Sequence, residues 1–438
     1  MKTRAVRLHG KEKVSLDIID LPPAGRRELR AKVFTDSLCF STYKAWQQGE
    51  NHKRTPDDLQ KDPVIVGHEF AGVIEEAGEE LKDRFKPGDR FILQPAIFYN
   101  GPLFVHGGIY GAPGYSFPFC GGGAQDIIIP QQVIDSNAVL TFNNCPFFEA
   151  SLAEPLSCII GAAREQYHCD MGTHKHIMGI RENGNLAVLG AGGPMGLAML
   201  DYFLHADRRP SLIMAVEIDP VKLRRARELF QAETGSAALH FVNPREENLD
   251  ETARKITGNK LFDDIFTMFP SAEILNVADN LLGIDGTNNF FAGPSDKEFT
   301  APVNFYHVHY AGHKHIGSSG GNTEDLKEAV TLMEEDRIKP AQMIYAVGGI
   351  DAVPCAIPEL PKLAAGKNLV YTGVSMPLTP IAEFEKSAND EKTSPVLRKV
   401  YAKLHEIVSR HGGLWNEEAE KYILDCPELD YRIHQAPG

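Results

Sequence analysis

Hydrophobic and polar positions divide this chain into a β-rich front, an alternating α/β middle and a helical tail. Two short strands are predicted between residues 3 and 21, joined at Gly10-Lys11. Alternation over 29–35 predicts a third strand that runs into Asp36-Ser37-Leu38-Cys39-Phe40-Ser41-Thr42. Residues 47–62 are polar and charged and read as surface loop. Residues 63–78 give two β-rich runs interrupted by His68-Glu69, and Lys86-Pro87-Gly88-Asp89 is a turn before another strand. Residues 96–123 are rich in Gly, Pro and aromatics with no periodicity and read as an irregular lobe; strand character resumes at 124–130. Residues 148–166 read as helix.

The middle is organised around residues 185–223. Leu186-Ala187-Val188-Leu189 is a short apolar run of the kind a buried parallel strand shows. A glycine turn and a helix over 197–205 follow, then a second apolar run at 212–216, closed by Glu217. Two glycine frames are possible in Gly190-Ala191-Gly192-Gly193-Pro194-Met195-Gly196. The one with dinucleotide spacing places Ala191, Gly193 and Gly196 in the three small-residue slots, and Glu217 stands 21 residues beyond Gly196. Small residues let backbone approach a pyrophosphate, whose charge the N–H groups of the helix start stabilise. An acid at the tip of the second strand can accept hydrogen bonds from ribose hydroxyls. Strands at 264–268 and 289–293 flank a helix at 275–282 and continue a parallel sheet. Beyond Val303 the pattern turns β-like, a helix is predicted at 324–336, and a last strand at 367–373. In the tail, Ser394 and Pro395 stand at cap and first-turn positions. Val396, Leu397, Val400, Tyr401, Leu404, Ile407 and Val408 share one face, and Gly412-Gly413 ends the helix. That face is expected to pack on the core or on a second subunit.

The 438 residues favour two domains, and 43% hydrophobic residues is ordinary for a globular chain. With 45 basic and 59 acidic residues the net charge is −14, which argues against nucleic acid or an anionic membrane as main partner. Met1-Lys2-Thr3-Arg4 leads straight into strand-like sequence, so neither signal peptide nor membrane span is expected. Seven scattered cysteines without framework spacing suggest a reduced, cytoplasmic protein.

Cys39 with Ser41, Gly67-His68-Glu69-Phe70-Ala71-Gly72, Lys86-Pro87-Gly88-Asp89, Glu154-Pro155-Leu156-Ser157 and the cofactor turn follow one another in an order that resembles the medium-chain dehydrogenase/reductase superfamily, and within it the zinc-dependent polyol dehydrogenases. The resemblance covers about residues 1–375. It implies an α/β protein with a β-rich GroES-like catalytic domain at 1–160, a Rossmann doubly wound parallel-sheet cofactor domain at 161–305, a return to the catalytic domain at 306–375 and a helical extension at 376–438. Asp36 to Lys44, Tyr115-Ser116-Phe117-Pro118 and the long tail resemble, more narrowly, the L-sorbose 1-phosphate reductases.

The resemblance implies a site. Cys39, His68 and Glu154 would hold one catalytic zinc through a thiolate, an imidazole and a carboxylate, leaving a fourth position for water or substrate. Cys158, one helical turn past Glu154, is a rival ligand. Glu69 would stand behind the metal or serve as an occasional ligand, and Ser41 would start the proton path. Ala191, Gly193, Pro194, Met195, Gly196, Glu217 and Lys222 would bind the dinucleotide, NAD(H) in preference to NADP(H) because Glu217 repels a 2′-phosphate. Relatives often carry a second zinc on four cysteines in the lobe; residues 96–123 contain only Cys120, so no structural zinc is expected. His307, His309, His313 and His315 form a cluster in sequence, but strand alternation over 303–310 would place His307 and His309 on one face, and no metal is expected there.

The implied reaction is hydride transfer between the nicotinamide cofactor and a ketose or polyol. The narrower resemblance implies reduction of L-sorbose 1-phosphate to D-glucitol 6-phosphate in a homo-oligomer, a dimer or a tetramer. Lys44, Lys53 and Arg54 are the candidate phosphate partners. The alternatives are a general polyol dehydrogenase of unphosphorylated substrates, a zinc-free reductase of the same superfamily, and a non-enzymatic nucleotide-binding relative.

Overall fold

The strand Leu29–Leu38 is the axis of the front of the molecule. Along its first half the side chains alternate, and Leu29, Ala31 and Val33 are wholly buried; from Thr35 to Leu38 both faces are covered. In the computed structural model, which describes residues 1–98, 109–170, 172–230, 237–362 and 365–430, the chain forms two units. One comprises Met1–Glu154 and Met343–Gly438, the other Pro155–Gln342.

In the first unit, Phe70–Ala77 pairs antiparallel along one edge of Leu29–Leu38. The other edge is shared: Asp126–Ile129 pairs with residues 29–32, and Lys367–Tyr371 with residues 35–38. Lys367–Tyr371 in turn runs parallel to Ile344–Gly349. Sequence from beyond the second unit thus completes the sheet beside Cys39. Ile65, Phe70, Ile74, Phe91 and Ile127 are among the apolar side chains packed beneath it. Of the lobe at 96–123, residues 99–108 lie outside the described ones; Ile97–Phe98 pairs with Ile109–Gly111.

The second unit holds a sheet whose described strands are all parallel. Their order is Ala238–Val242, Leu212–Val216, Asn185–Leu189, Phe262–Thr267, Leu282–Phe290, Lys314–Gly317. The order reverses at the first of these strands in sequence, the arrangement that opens a crevice at the strand ends of doubly wound sheets. The expected α/β architecture, a GroES-like domain with a Rossmann-type domain, is the fold of this chain.

Two local expectations are corrected. Residues 305–310 are a helix, Phe305–Tyr310, not a strand. The Asn304 side chain accepts the Tyr306 N–H at 3.0 Å and starts the helix, while Phe305, Tyr306 and Tyr310 are exposed and offer no buried face for a strand to pack. The chain also does not rejoin the first unit at 306. Lys314–Gly317 adds a sixth strand to the parallel sheet, Thr323–Glu334 is a helix of the same unit, and the first unit resumes at Met343.

In the tail, the Ser394 hydroxyl accepts the Leu397 N–H at 3.2 Å and Pro395 opens the helix Pro395–Arg410. Val400, Tyr401, Leu404, Ile407 and Val408 are buried as patterned, whereas Val396 is 44% exposed and lies outside that face. The helix Glu417–Leu424 carries the decisive anchor. The Glu420 carboxylate accepts the N–H groups of Phe147 and Phe148, each at 2.8 Å, and the Tyr371 hydroxyl at 3.0 Å; Trp415 Nε1 donates to the same hydroxyl at 2.8 Å. The tail therefore packs on its own unit and satisfies the start of the helix Phe147–Ser151. No described helix is long and apolar enough to cross a membrane.

Glu420→Ala strips the buried partner from two backbone donors and a phenol. We expect it to lower the free energy of unfolding by about 3 kcal/mol, with Glu420→Gln costing less. Denaturant unfolding measures this directly, and a loss under about 0.5 kcal/mol for the alanine variant would contradict the anchoring role.

Candidate metal and cofactor sites

Each candidate ligand of the first unit stands at an element boundary, where backbone direction changes and side chains converge. Cys39 has extended backbone after Leu29–Leu38 and precedes the helix Phe40–Gln48. His68 and Glu69 occupy the link between Val64–Ile65 and Phe70–Ala77. Gly67 enters that link with φ +92°, and a Cβ there would fall 2.2 Å from Asp36 Oδ2, so only glycine lets the chain pass. Glu154 is the second residue of the helix Ala153–Glu165. Lys367 begins its strand, and since Asn368 pairs with Leu38 the lysine falls beside Cys39.

The ligand atoms of Cys39, His68 and Glu69 lie within 4.8 Å of one another. Glu69 uses both oxygens already: Lys367 Nζ donates to Oε1 and Ser37 Oγ to Oε2. That makes it a carboxylate held behind the cluster. Glu154 is not in this tight trio, yet its charge interacts with those of His68, Glu69 and Cys39. Cys158 is half-buried and is not part of the group.

The electrostatics are those of too many acids in one dry place. Burial, then Glu69, pushes the Cys39 thiol up. Burial raises Glu154 to about 7, with Glu69 and Cys39 adding to the shift against the pull of His68. Asp36 is pushed well above the carboxylate range by burial and Glu69. Burial lowers His68 and so favours neutral imidazole. Burial alone would lower Lys367, but Glu69 and Cys39 hold it above its usual value. One lysine offsets one carboxylate; the remaining thiol and carboxyl would ionise readily only beside a further cation. His68 Nδ1 is buried without a hydrogen-bond partner. A thiol, an imidazole and a carboxylate in this state fit a zinc ion.

Two hydroxyls adjoin the cluster. Ser41 Oγ lies 3.0 Å from Cys39 Sγ and 3.1 Å from His68 Nε2, and the Tyr115 hydroxyl donates to Ser41 Oγ at 2.8 Å. Tyr115 and Lys367 escape sequence reasoning. Tyr115 stands in a lobe without periodicity, and Lys367 reaches the site only through sheet register.

Beside Tyr115 stands a group of cations. The His52 ring stacks on Tyr115 at 5.4 Å between centroids, and the Arg54 guanidinium sits 5.5 Å from the Tyr115 centroid. His52 is pushed down to about 4 by burial and then by Arg54, Lys53 and Lys44. Lys53 is lowered by burial, Arg54 and Lys44, and Lys44 by burial. Arg54 Nε is buried and has no hydrogen-bond partner.

In the second unit, Gly193 precedes the helix Pro194–His205, with Pro194 in its first turn. A Cβ on Gly196 would come 2.6 Å from the Ala191 carbonyl carbon, so the helix approaches the strand end as closely as glycine permits, while the space around Gly193 is open. Glu217 Oε2 accepts the Gly192 N–H at 3.0 Å and Oε1 the Asp219 N–H at 3.0 Å. Lys222 stands in the first turns of Pro220–Phe230, next to Gly192. Ala191, Gly193, Pro194, Met195, Gly196, Glu217 and Lys222 gather around one turn.

Comparison with known proteins agrees with this geometry. Residues 25–135 match the alcohol dehydrogenase GroES-like domain, and residues 194–335 match the zinc-binding dehydrogenase family. The chain is 40% identical to an L-sorbose 1-phosphate reductase of Klebsiella pneumoniae over 96% of its length and 97% of the relative's. It is 39% identical to a mannitol-1-phosphate 5-dehydrogenase of Aliivibrio fischeri over 99% of its length and 100% of the relative's. Among solved structures, a zinc-binding dehydrogenase of Sinorhizobium meliloti bound to NADP superposes with a TM-score of 0.70 at 22% identity, over 85% of this chain and all of that one. The chain belongs to the zinc-dependent dehydrogenases of the medium-chain dehydrogenase/reductase superfamily.

Proposed function

We propose that this protein uses one catalytic zinc and NAD(H) to interconvert a phosphorylated ketose and the corresponding polyol phosphate, with L-sorbose 1-phosphate and D-glucitol 6-phosphate as the pair. The observation that carries the substrate reading is the cationic group of Lys44, Lys53 and Arg54, of which Arg54 sits over the Tyr115 ring; the Tyr115 hydroxyl contacts Ser41 and lies 3.4 Å from His68 Nε2. Lys53, lowered by burial and then by Arg54 and Lys44, marks a local excess of positive charge that an anion would offset, and the unpartnered Arg54 Nε is a donor in waiting. A reductase and a dehydrogenase named for sugar phosphates stand among the relatives at about 40% identity. The second reading, a general polyol dehydrogenase, draws on the more distant likeness to human sorbitol dehydrogenase, 25% over 57% of the chain.

In the proposed site Cys39, His68 and Glu154 hold the zinc, and Glu69, fixed by Lys367 and Ser37, stands behind them. When bound, the ion supplies Lewis-acid polarisation of the substrate carbonyl. Ser41 Oγ is placed to give a proton to the substrate oxygen as hydride arrives, and the Tyr115 hydroxyl, donating at 2.8 Å, replaces it. Glu217, already bonded to the glycine turn, would exchange the Gly192 contact for ribose hydroxyls and would repel a 2′-phosphate. Assembly as a homo-oligomer in the cytoplasm is part of the same reading.

Three outcomes follow from these assignments. Cys39→Ala and His68→Ala should each lose one equivalent of zinc, measured by elemental analysis, and about a thousandfold or more in kcat; full activity with that equivalent gone would overturn the assignment. Glu217→Ala should shrink the preference for NAD(H) over NADP(H) by about tenfold, the scale of one charge-assisted contact; kinetics showing an unchanged ratio would remove Glu217 from the ribose site. L-sorbose 1-phosphate should far exceed L-sorbose in kcat/KM, and Arg54→Ala or Lys44→Ala should cut that margin about 10- to 100-fold while sparing neutral polyols. Equal efficiency on sugar and sugar phosphate would leave the general polyol reading.

A further inference from the structure

His307, expected beside His309 on one face of a strand, instead joins His313 and His315 around one buried acid. Asp279 stands near the end of the helix Ala272–Leu281, only 2% exposed. His307 lies on the helix Phe305–Tyr310, His313 in the link that follows, and His315 on the strand Lys314–Gly317. Asp279 Oδ2 is 3.0 Å from His307 Nδ1, and Oδ1 is 3.2 Å from His313 Nδ1 and 3.1 Å from His315 Nε2. His309 points its chemistry elsewhere: its ring packs on Tyr310.

We propose that Asp279, His307 and His313 form a second transition-metal site, in the unit that binds the dinucleotide, taking zinc or cobalt through two imidazoles and a carboxylate. Their ligand atoms lie within 4.8 Å of one another. Zinc–nitrogen and zinc–oxygen bonds of about 2.0–2.2 Å set tetrahedral edges of about 3.3 Å; His307 Nδ1 lies 3.0 Å from Oδ2 and His313 Nδ1 3.2 Å from Oδ1, so the two rings flank the carboxylate on different oxygens and close on one ion as it binds. The chemistry of the set suits a borderline ion: two imidazoles and one carboxylate, with no thiolate.

The surroundings supply what such a site needs. His315 holds the carboxylate from its far side, with its own Nδ1 3.4 Å from Asn288 Nδ2. Asn304 Nδ2 lies 3.4 Å from His307 Nε2 while its Oδ1 accepts the Tyr306 N–H, so the residue that starts the helix also orients the ring. Burial lowers His313, against the pull of its hydrogen bond to Asp279. Burial would raise Asp279, but its three imidazole hydrogen bonds carry it below the usual carboxylate value. A cleft of about 920 Å³ lined by His307, Ala311, His313, Asp250 and Arg254 offers a way in and room for a water in the fourth position. An ion here would tie the helix Ala272–Leu281, the helix Phe305–Tyr310 and the outermost described strand of the parallel sheet together.

The full-length protein, with the Cys39 site first loaded, should take up one further equivalent of Zn²⁺ or Co²⁺ by calorimetric titration. Cobalt in this site should give ligand-field bands without the thiolate-to-metal charge transfer that marks a cysteine site. His307→Ala, at a half-exposed position, and His313→Ala should each weaken the further equivalent at least tenfold, whereas Cys39→Ala should retain it; the two zinc assignments thereby fail independently. Native circular dichroism of the His307 variant checks that it folds. A protein that takes up no further equivalent, or one whose further equivalent survives both histidine variants, overturns the proposal.

Discussion

The ion pair between Lys367 and Glu69 is the constraint on which the front unit turns. The partners stand 298 residues apart in sequence and both are buried. Burying two charges is costly and is repaid only when geometry and further hydrogen bonds are in place. Here Ser37 supplies one such bond, and the strand Lys367–Tyr371, seated against Leu29–Leu38, fixes the lysine. With Glu69 committed to Lys367 and Ser37, burial and the Glu69 charge raise Cys39 and Glu154, and Asp36, which accepts the Glu69 N–H at 3.3 Å, is driven toward its neutral form. A substitution at Lys367 would therefore act on every ionisable group around Cys39 at once.

What the sequence disclosed, and what it hid, divides by distance along the chain. The dinucleotide unit was legible because its strand, turn, helix, second strand and acid fall within some 40 residues, and each announces itself locally. Cys39, His68 and Glu154 come from three segments, and only the family pattern joined them; chemistry alone would have left three unrelated side chains. Lys367 could not be read at all, since its partner depends on which strand lies beside Leu29–Leu38. The helix Phe305–Tyr310 was misread for a different reason. Six residues alternate too briefly to separate period 2 from period 3.6, and the deciding signal was the cap, Asn304. Lys314–Gly317, partly exposed and polar, lacks the apolar run of an inner strand, so the parallel sheet seemed to end one strand early.

The tail shows the same limit at the level of packing. Its helical face was evident from spacing, but not the surface that receives it. The face of Pro395–Arg410 meets Thr379, whose hydroxyl shares a 2.8 Å hydrogen bond with the Tyr401 hydroxyl, and Phe384, whose ring stacks on Tyr401, while Glu420 on the next helix binds Phe147, Phe148 and Tyr371. The carboxylate does for the helix Phe147–Ser151 what a capping side chain from its own preceding residue would do, since Pro146 at that position has no side-chain acceptor. Because the helix bearing Glu154 follows directly, the tail steadies the backbone that presents a proposed metal ligand. An appendix remote in sequence thus belongs physically to the site.

Charge distribution gives the proposed substrate its strongest physical footing. A chain of net charge −14 repels anions on average, so recognition of a phosphate requires a local reversal. Lys44, Lys53 and Arg54 provide one, at the cost of mutual repulsion that also keeps His52 neutral. A neutral polyol would leave that repulsion standing, whereas a phosphate dianion would relieve it, so the free energy of assembling the cations is returned only to a charged substrate. The Tyr115 ring supports Arg54 and stacks on His52, while its hydroxyl donates to Ser41. One side chain therefore joins the surface that would read the substrate's charge to the hydroxyl that would supply its proton.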